Sequence, residues 1–455
     1  IIFYFMANVI KLRKGLDINL KGRAIKKKVE CQASKTVALR PSDFTGIVPK
    51  VVVREGDHVL AGDALFVNKQ FPEVKFASPV SGTVKSILRG ERRRVLSVSV
   101  EADDKLDYRD FGQHDASKMD GNAVKQLLLE AGLFGYINQL PYAISTDPCT
   151  TPKGIFVSAL RDMPLANDFE YELEGNEDAF LAGLKALNRI ATVHLGVGAK
   201  QTAKALTEAQ DIDLNVFDGP CPAGNVGVQI NHIDPVNRGE TVWTVDPTSV
   251  IFIGRLFLTG KVDLRKTIAI AGSQIKEPAY ADVLVGTQLA DILNGKLVAT
   301  DHVRIINGNP LTGERATLND YLGAHTSEVT AIPEGDDKEE ILGWILPRTK
   351  DFSVSRSYFS WLQGKNHEYD LDARIKGGER HMIMSGEYDK VLPMDIYAEF
   401  LIKAIITGDI DKQEQLGIYE VSPEDFAVAE FVDSSKLELQ KIVRQGLDIL
   451  RKENA

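Results

Sequence analysis

The sequence predicts a multidomain protein of mixed α+β and α/β class, and three stretches predict it. Between Gly46 and Ile87, short β-rich runs are punctuated by Gly-Asp turns, the pattern of a compact sandwich or barrel. From Arg189 to Asp218, an apolar run, a glycine turn, a helical stretch and a second apolar run follow in order, as a βαβ unit requires. From Pro393 onward, helical periodicity takes over.

The composition sets the outer limits. At 455 residues the chain is long enough for about three domains. Hydrophobic residues make up 44% and charged residues 26%, so disorder is not the dominant state. A net charge of −10 argues against a nucleic-acid binder. No uncharged apolar run approaches the ~18–20 residues of a membrane span. Cys31, Cys149 and Cys221 lie far apart, which excludes a disulfide scaffold and an all-cysteine metal or iron–sulfur site. A reducing compartment is the default. The Ile1–Phe5 run has no basic residue before it and no small-residue cleavage site after it, so a signal peptide is not expected, and Met6 is the expected start. Charge is unevenly placed. Asn8 to Arg54 holds twelve Lys/Arg against Asp17, Glu30 and Asp43, whereas Glu334 to Glu340 is an acidic cluster. The basic stretch reads either as solvated surface or as a docking face for an acidic partner or the inner membrane surface.

In the first domain, Asp57 and Asp63 follow Gly56 and Gly62, which suits tight turns because glycine accepts positive φ and aspartate bonds nearby backbone N–H groups. The repeated Val-x-x-Gly-Asp-x-Val-x-x-Gly-Asp-x-Leu, followed by Ser78-Pro-Val-Ser-Gly82, resembles biotinyl/lipoyl-type domains. The resemblance implies a barrel-sandwich fold. Lys69 and Lys75 lack the Met-Lys-Met-like setting of a carrier lysine, so a structural or docking module is expected.

In the middle of the chain, Ala123–Ala131 has helical spacing and Gln201–Gln210 is a second helical stretch. Gly196-Val-Gly198 is followed by Gln201 where a dinucleotide fingerprint has glycine or alanine, so a plain strand-to-helix turn is expected. The segment Ala131-Gly-Leu-Phe-Gly-Tyr-Ile-Asn-Gln-Leu-Pro141 resembles the glycine-rich loop of the flavin- and NADH-binding subunits of respiratory complex I. In those relatives, glycines let backbone N–H groups approach phosphates. Here Tyr136 to Leu140 fill the loop, and the resemblance therefore implies a lost flavin and nucleotide function. The surface left is aromatic and apolar. Its ordinary role is core packing, and the alternative is a wall for a quinone ring. Phe134, Tyr136, Leu140, Pro141 and Tyr142 are the candidate quinone-binding residues.

Val250–Gly260 reads as the start of a β-rich unit, followed by Lys266–Ser273, a short helix over Thr287–Asn294, and Val303–Gly313. This arrangement resembles the soluble-ligand-binding β-grasp domain of the same electron-transport subunits. Ile396–Gly408 is an amphipathic helix with a glycine stop, Ser422-Pro-Glu-Asp425 is a helix start, and Ser435–Glu453 is the last helix. Iron–sulfur relatives carry Cys-x2-Cys-x2-Cys-x3-Cys-Pro here, and Pro423, Phe426, Ala429 and Asp433 fall on the four ligand positions. None is a thiolate. The eight histidines form no close pair, and there is no Walker loop, Gly-x-Ser-x-Gly or zinc spacing. No catalytic, cofactor-binding or metal residue is expected in the chain itself.

Lys11–Gly15, Pro222–Gly224, Asp234–Val236, Val242-Trp243, Ile253–Gly260 and Phe352–Ser357 together resemble the family of A subunits of sodium-translocating NADH:quinone reductases. The resemblance implies a peripheral subunit on the cytoplasmic face of a bacterial inner membrane. It would assist quinone binding or reduction and brace the assembly, with the flavins, iron–sulfur centres and NADH in partner subunits, which include integral membrane subunits. The alternatives are a purely structural scaffold and a flavin- or NADH-binding dehydrogenase subunit. The expected domains are a biotinyl/lipoyl-like domain with an N-terminal extension over 1–110, a Rossmann-like domain over 111–249 and a β-grasp domain over 250–330. A mixed connection over 331–392 and a C-terminal helical bundle over 393–455 follow.

Overall fold

The computed structural model describes residues 8–338, 346–364 and 366–454. The Ile1–Phe5 run, Met6, and Glu339 and Glu340 of the acidic cluster lie outside the described residues.

Two antiparallel sheets make the barrel-sandwich domain. One has the order Thr36–Leu39, Val95–Ala102, Gly82–Arg89, His58–Val59, and the other Pro49–Val51, Ala64–Asn68, Lys75–Ala77. The Gly-Asp turns form as their chemistry dictates. Gly56 and Gly62 take φ of +90° and +102°. The Asp57 and Asp63 carboxylates accept from the N–H groups of Arg54 and Leu60 at 2.7 and 2.9 Å. Leu65, Phe66, Phe76, Val98 and Val100 are buried in one core that continues into the α/β domain, with the Phe66 and Phe76 rings stacked on each other and meeting Phe44.

The α/β domain is built on a seven-stranded sheet. Its order is Asn8–Lys11, Asp213–Asp218, Val193–Gly198, Ile155–Ser158, Val242–Val245, Ile137–Leu140, Ile144–Ser145. The first five strands are parallel, Ile137–Leu140 runs antiparallel to them, and Ile144–Ser145 pairs antiparallel with Ile137–Leu140. From Ile155–Ser158 the chain steps outward through two further strands, then returns to place Val242–Val245 on the other side of its starting point. The topological switch point therefore lies between Ile155–Ser158 and Val242–Val245. The edge strand Asn8–Lys11, expected as an extension of the first domain, pairs with Asp213–Asp218, so the barrel-sandwich is inserted after the first strand of this sheet.

Two element expectations are corrected. Val250–Gly260, read as β-rich, is helical: a helix runs over Pro247–Thr259, with the Asp246 carboxylate accepting from Thr248 N–H at the start and Gly260 in the left-handed region at the end. Nearly every residue of it is buried, so it lacks the polar face by which a helix is told from a buried strand. It packs on the helix Glu177–Leu187, and hence on the α/β domain. The helical stretch over Gln201–Gln210 shrinks to Lys204–Thr207. Ala203 N–H donates to the Glu170 carboxylate rather than into a preceding turn.

Residues 265–333 form a five-stranded β-grasp sheet in the order Ala279–Leu284, Arg265–Ala271, Glu328–Pro333, Val303–Asn307, Glu314–Ala316, with a short helix at Leu289–Leu293. Arg265–Ala271 and Glu328–Pro333 run parallel in its middle. The C-terminal helices Ala398–Thr407, Ala427–Val432 and Leu439–Glu453 bury Leu401, Val428, Leu439, Val443, Leu447 and Leu450 in a second core, shared with Leu12 and Phe217 of the α/β sheet edge. Gly408 ends the first of these helices in the left-handed conformation, and Ser422 and Asp425 form a capping box. Among the described residues, no helix is long and apolar enough to cross a membrane.

Candidate functional site

Parallel sheets place their binding crevice outside the carboxyl ends of the strands at the switch point. A cleft of about 460 Å³ opens there. Ser158 and Arg161 reach it from one strand end and Thr244 to Asp246 from the other. The loop Arg40–Thr45 of the barrel-sandwich, the β-grasp loops around Asn309 and His325, and Glu424 of the helical domain close it.

Its floor is an ion network. Arg161 donates to Glu172 Oε2 at 2.8 Å, to both Asp246 oxygens at 3.1 and 3.2 Å, and to Thr248 Oγ1 at 2.9 Å. Thr248 Oγ1 and Asn167 Nδ2 donate in turn to Glu172 at 2.7 and 3.0 Å. Burial alone would lower the Arg161 pKa, but Asp246 and Glu172 outweigh it and the guanidinium is held protonated. Lys266, 5% exposed, donates to the Gly323 and Ala324 carbonyls at 3.0 Å each. Burial pulls its pKa down to about 8. Ala324 N–H donates to Asp43, which is paired with Arg40 at 2.6 Å, and this ties the β-grasp loop to the barrel-sandwich.

The loop so anchored carries His325 into a cluster of aromatic rings. Its ring centroid is 5.5 Å from those of both Phe44 and Tyr136. Burial lowers the His325 pKa to about 4, so the imidazole is neutral at pH 7. The Tyr136 hydroxyl and His325 Nε2 are buried, and neither finds a hydrogen-bond partner among the described residues.

The loop with the glycine-rich resemblance uses its remaining glycines for packing. A side chain at Gly132 would meet the Ala77 backbone at 2.9 Å, and one at Gly135 would run into the Phe76 ring. Both glycines let the α/β domain close onto the barrel-sandwich strand Lys75–Ala77, so this loop does not fit a phosphate cradle. The Gly196–Gly198 turn is also committed. Gly198 N–H donates to Gln201 Oε1 at 2.7 Å, and Gln201 Nε2 donates to Ala159 O at 2.9 Å.

Comparison with known proteins settles the family. The A subunit of the Na(+)-translocating NADH-quinone reductase of Neisseria meningitidis serogroup C (strain FAM18) is 34% identical over 449 residues, covering 98% of this chain and 100% of that one. This chain belongs to the NqrA family, the A subunits of Na(+)-translocating NADH-quinone reductases. The Haemophilus influenzae (strain PittEE) member is likewise 34% identical over 451 residues, with 98% and 100% covered. The family described as NqrA N-terminal barrel-sandwich hybrid domain matches residues 10–103, NqrA second alpha/beta domain 119–262, and NQRA C-terminal domain 267–317. An NAD+-reducing [NiFe]-hydrogenase chain in the air-oxidized state aligns with a TM-score of 0.36 at 12% identity, covering 51% of this chain and 53% of that one.

In this member of the NqrA family the five residues expected at a quinone site are not gathered on one wall. Tyr136 is 1% exposed and packs beside His325, which lines the cleft. Phe134 is fully buried against the edge of Trp243, with ring centroids 5.5 Å apart. Leu140 belongs to a small separate cluster with Phe156 and Val242. Pro141 is buried, and Tyr142 packs toward the helical core, where Asn454 Nδ2 donates to its hydroxyl at 3.3 Å. Of the four positions where iron–sulfur relatives have cysteine, Phe426 and Ala429 are core residues of the helical domain. Asp433 there accepts from the backbone of Ser435 and Leu437 at 3.1 and 2.8 Å.

Arg161, Glu172, Asp246 and Lys266 carry no site motif in the sequence, and His325 appears there only as one of eight histidines that form no close pair. The usable signal was an acid followed by proline directly after a buried run, Val242–Pro247, which marks a strand end feeding a helix at a crevice.

Proposed function

We propose that this chain is the quinone-assisting peripheral subunit of a sodium-pumping NADH:quinone oxidoreductase, on the cytoplasmic face of the membrane, and that it holds no redox cofactor of its own. The flavins, iron–sulfur centres and NADH site belong to partner subunits, some of them integral to the membrane. The full-length similarity to the NqrA family carries this reading. The packed glycines of the 131–141 loop and the side chains at the four cysteine positions support the division of labour.

Within the chain, the head group of the quinone is proposed to lodge at the inner end of the switch-point cleft, against Tyr136 and His325. A quinone presents two carbonyl oxygens on a flat apolar ring. The Tyr136 hydroxyl is a donor without a partner among the described residues, the neutral His325 ring offers a second polar atom, and Phe44 supplies an aromatic face. Phe134, Leu140, Pro141 and Tyr142 form the backing that fixes the Tyr136 segment.

The test is steady-state kinetics of the assembled complex with Tyr136→Phe and His325→Phe. A rise in the quinone KM of about tenfold, with the NADH KM unchanged, is expected for the loss of one such hydrogen bond. Unchanged quinone kinetics in both variants would remove the site. A stoichiometric flavin absorption band in the purified chain would remove the cofactor-free reading.

A further inference from the structure

An exposed apolar surface and the basic segment noted in the sequence are joined in the fold. One is apolar. Among the described residues, eleven of the twenty-two exposed large hydrophobic side chains fall between residues 346 and 406. All four exposed aromatic side chains among the described residues, Phe359, Trp361, Tyr397 and Phe400, are in that stretch. Phe359 and Trp361 sit on a single turn with Leu362, which is 66% exposed, and the Arg356 guanidinium lies 5.8 Å over the Trp361 ring. The other surface is basic. Lys26 and Lys28 are used internally, paired with Asp168 and Asp282. Lys14, Lys21, Arg23 and Lys27 stay exposed along the extended segment that leads out of the first strand.

Hydrogen bonds join the two. Lys21 N–H donates to Tyr369 O at 2.9 Å, and Tyr369 N–H donates to Asn19 O at 2.8 Å. Phe352 packs edge-on against Tyr369 at 5.1 Å, tying the basic segment to the 346–364 stretch. Gly15 N–H donates to Lys390 O at 3.2 Å, which extends the seam toward the helical domain.

Large exposed aromatics beside cations are costly to leave in water and suit a boundary with acyl chains on one side and anionic phosphates on the other. We propose that this composite face seats the chain on an anionic lipid surface. Phe359, Trp361 and Leu362 enter the headgroup–acyl boundary, and Lys14, Lys21 and Arg23 lie over the lipid phosphates. The occupant is lipid rather than a protein groove because both charge and aromaticity are spread along a surface of short irregular segments. Strong aromatic protein anchors instead cluster at the centre of a packed interface. The inference takes its setting from the membrane-complex reading above but is tested apart from it.

The experiment is flotation of the full chain with vesicles of phosphatidylcholine containing roughly one-third phosphatidylglycerol, against phosphatidylcholine alone. Binding to the anionic vesicles is expected, weakening as salt is raised. It should fall about tenfold or more in the triple reversal Lys14→Glu, Lys21→Glu, Arg23→Glu, and in Phe359→Ser, Trp361→Ser, Leu362→Ser. Tryptophan emission should shift to the blue on binding, and Trp361→Phe should abolish the shift. Circular dichroism and the melting temperature show that each variant is folded. No binding to anionic vesicles by the wild-type chain, or equal binding by the folded variants, overturns the proposal. Normal co-purification with the membrane subunits in that case leaves the membrane-complex reading standing, and loss of co-purification by the wild-type chain would sink that reading instead.

Discussion

Arg161 and Asp246 hold together the two strand ends at the switch point, through two hydrogen bonds of 3.1 and 3.2 Å from one guanidinium nitrogen. The same side chain neutralises Glu172, which is 2% exposed. Replacing Arg161 with Met leaves a buried carboxylate uncompensated. Removing one partner of such a pair costs about 3–5 kcal/mol. The expected result is a large drop in melting temperature for Arg161→Met, recovered in part by adding Glu172→Gln. An unchanged melting temperature would show that the network is not structural.

His325 gives the fold a pH dependence of known sign. Its folded pKa of about 4 lies below the ordinary 6.5 because burial disfavours the charged ring. The unfolded chain therefore binds more protons between those values. The stability contribution is complete above pH 6.5 and is lost as pH falls through 4, to an extent of at most about 3 kcal/mol. Thermal unfolding from pH 7 to pH 4 should show a steeper fall for the wild type than for His325→Phe. Parallel curves would contradict the burial of the ring.

Gly183 and Gly254 let two helices touch backbone to backbone. A side chain at Gly254 would collide with the Ala179 carbonyl oxygen, and one at Gly183 with that of Val250. Gly254→Ala is expected to destabilise by about 1–3 kcal/mol through overpacking. Gly378→Ala, where a side chain meets nothing within 4 Å, should stay within about 0.5 kcal/mol of wild type. Denaturant unfolding of the two variants checks the contrast.

Asp433 is fully buried and caps the turn that leads into the last helix, accepting from Ser435 and Leu437 N–H groups. Asp433→Ala should destabilise by about 1–3 kcal/mol because both donors lose their acceptor. Asp433→Asn, which retains a carbonyl oxygen, should cost less. Equal losses on thermal unfolding would mean that the charge matters more than the acceptor.

The legible parts of this fold were those with local chemistry. The Gly-Asp turns, the Gly408 stop and the Ser422 start each depend on a few neighbouring residues, and each forms where the sequence puts it. Pro247–Thr259 was misread because a helix buried on all sides has no periodic contrast. The cleft was illegible for another reason. Arg161 and Asp246 are far apart in sequence and meet only through the strand order of the α/β sheet, and His325 reaches them from the β-grasp domain, so neither meeting is written in a local pattern. Tyr136 was singled out for its aromatic character, but its position beside His325 depends on a β-grasp loop anchored through Lys266 and Asp43.

The strand Asn8–Lys11 completes a sheet whose neighbouring strand, Asp213–Asp218, is synthesised some two hundred residues later. During translation this segment has nothing to pair with while the whole barrel-sandwich forms behind it. The earliest described part of the polypeptide is thus among the last to find its place. A ribosome-bound chain stalled before Asp218 should leave Asn8–Lys11 open to protease even though the intervening domain has already matured.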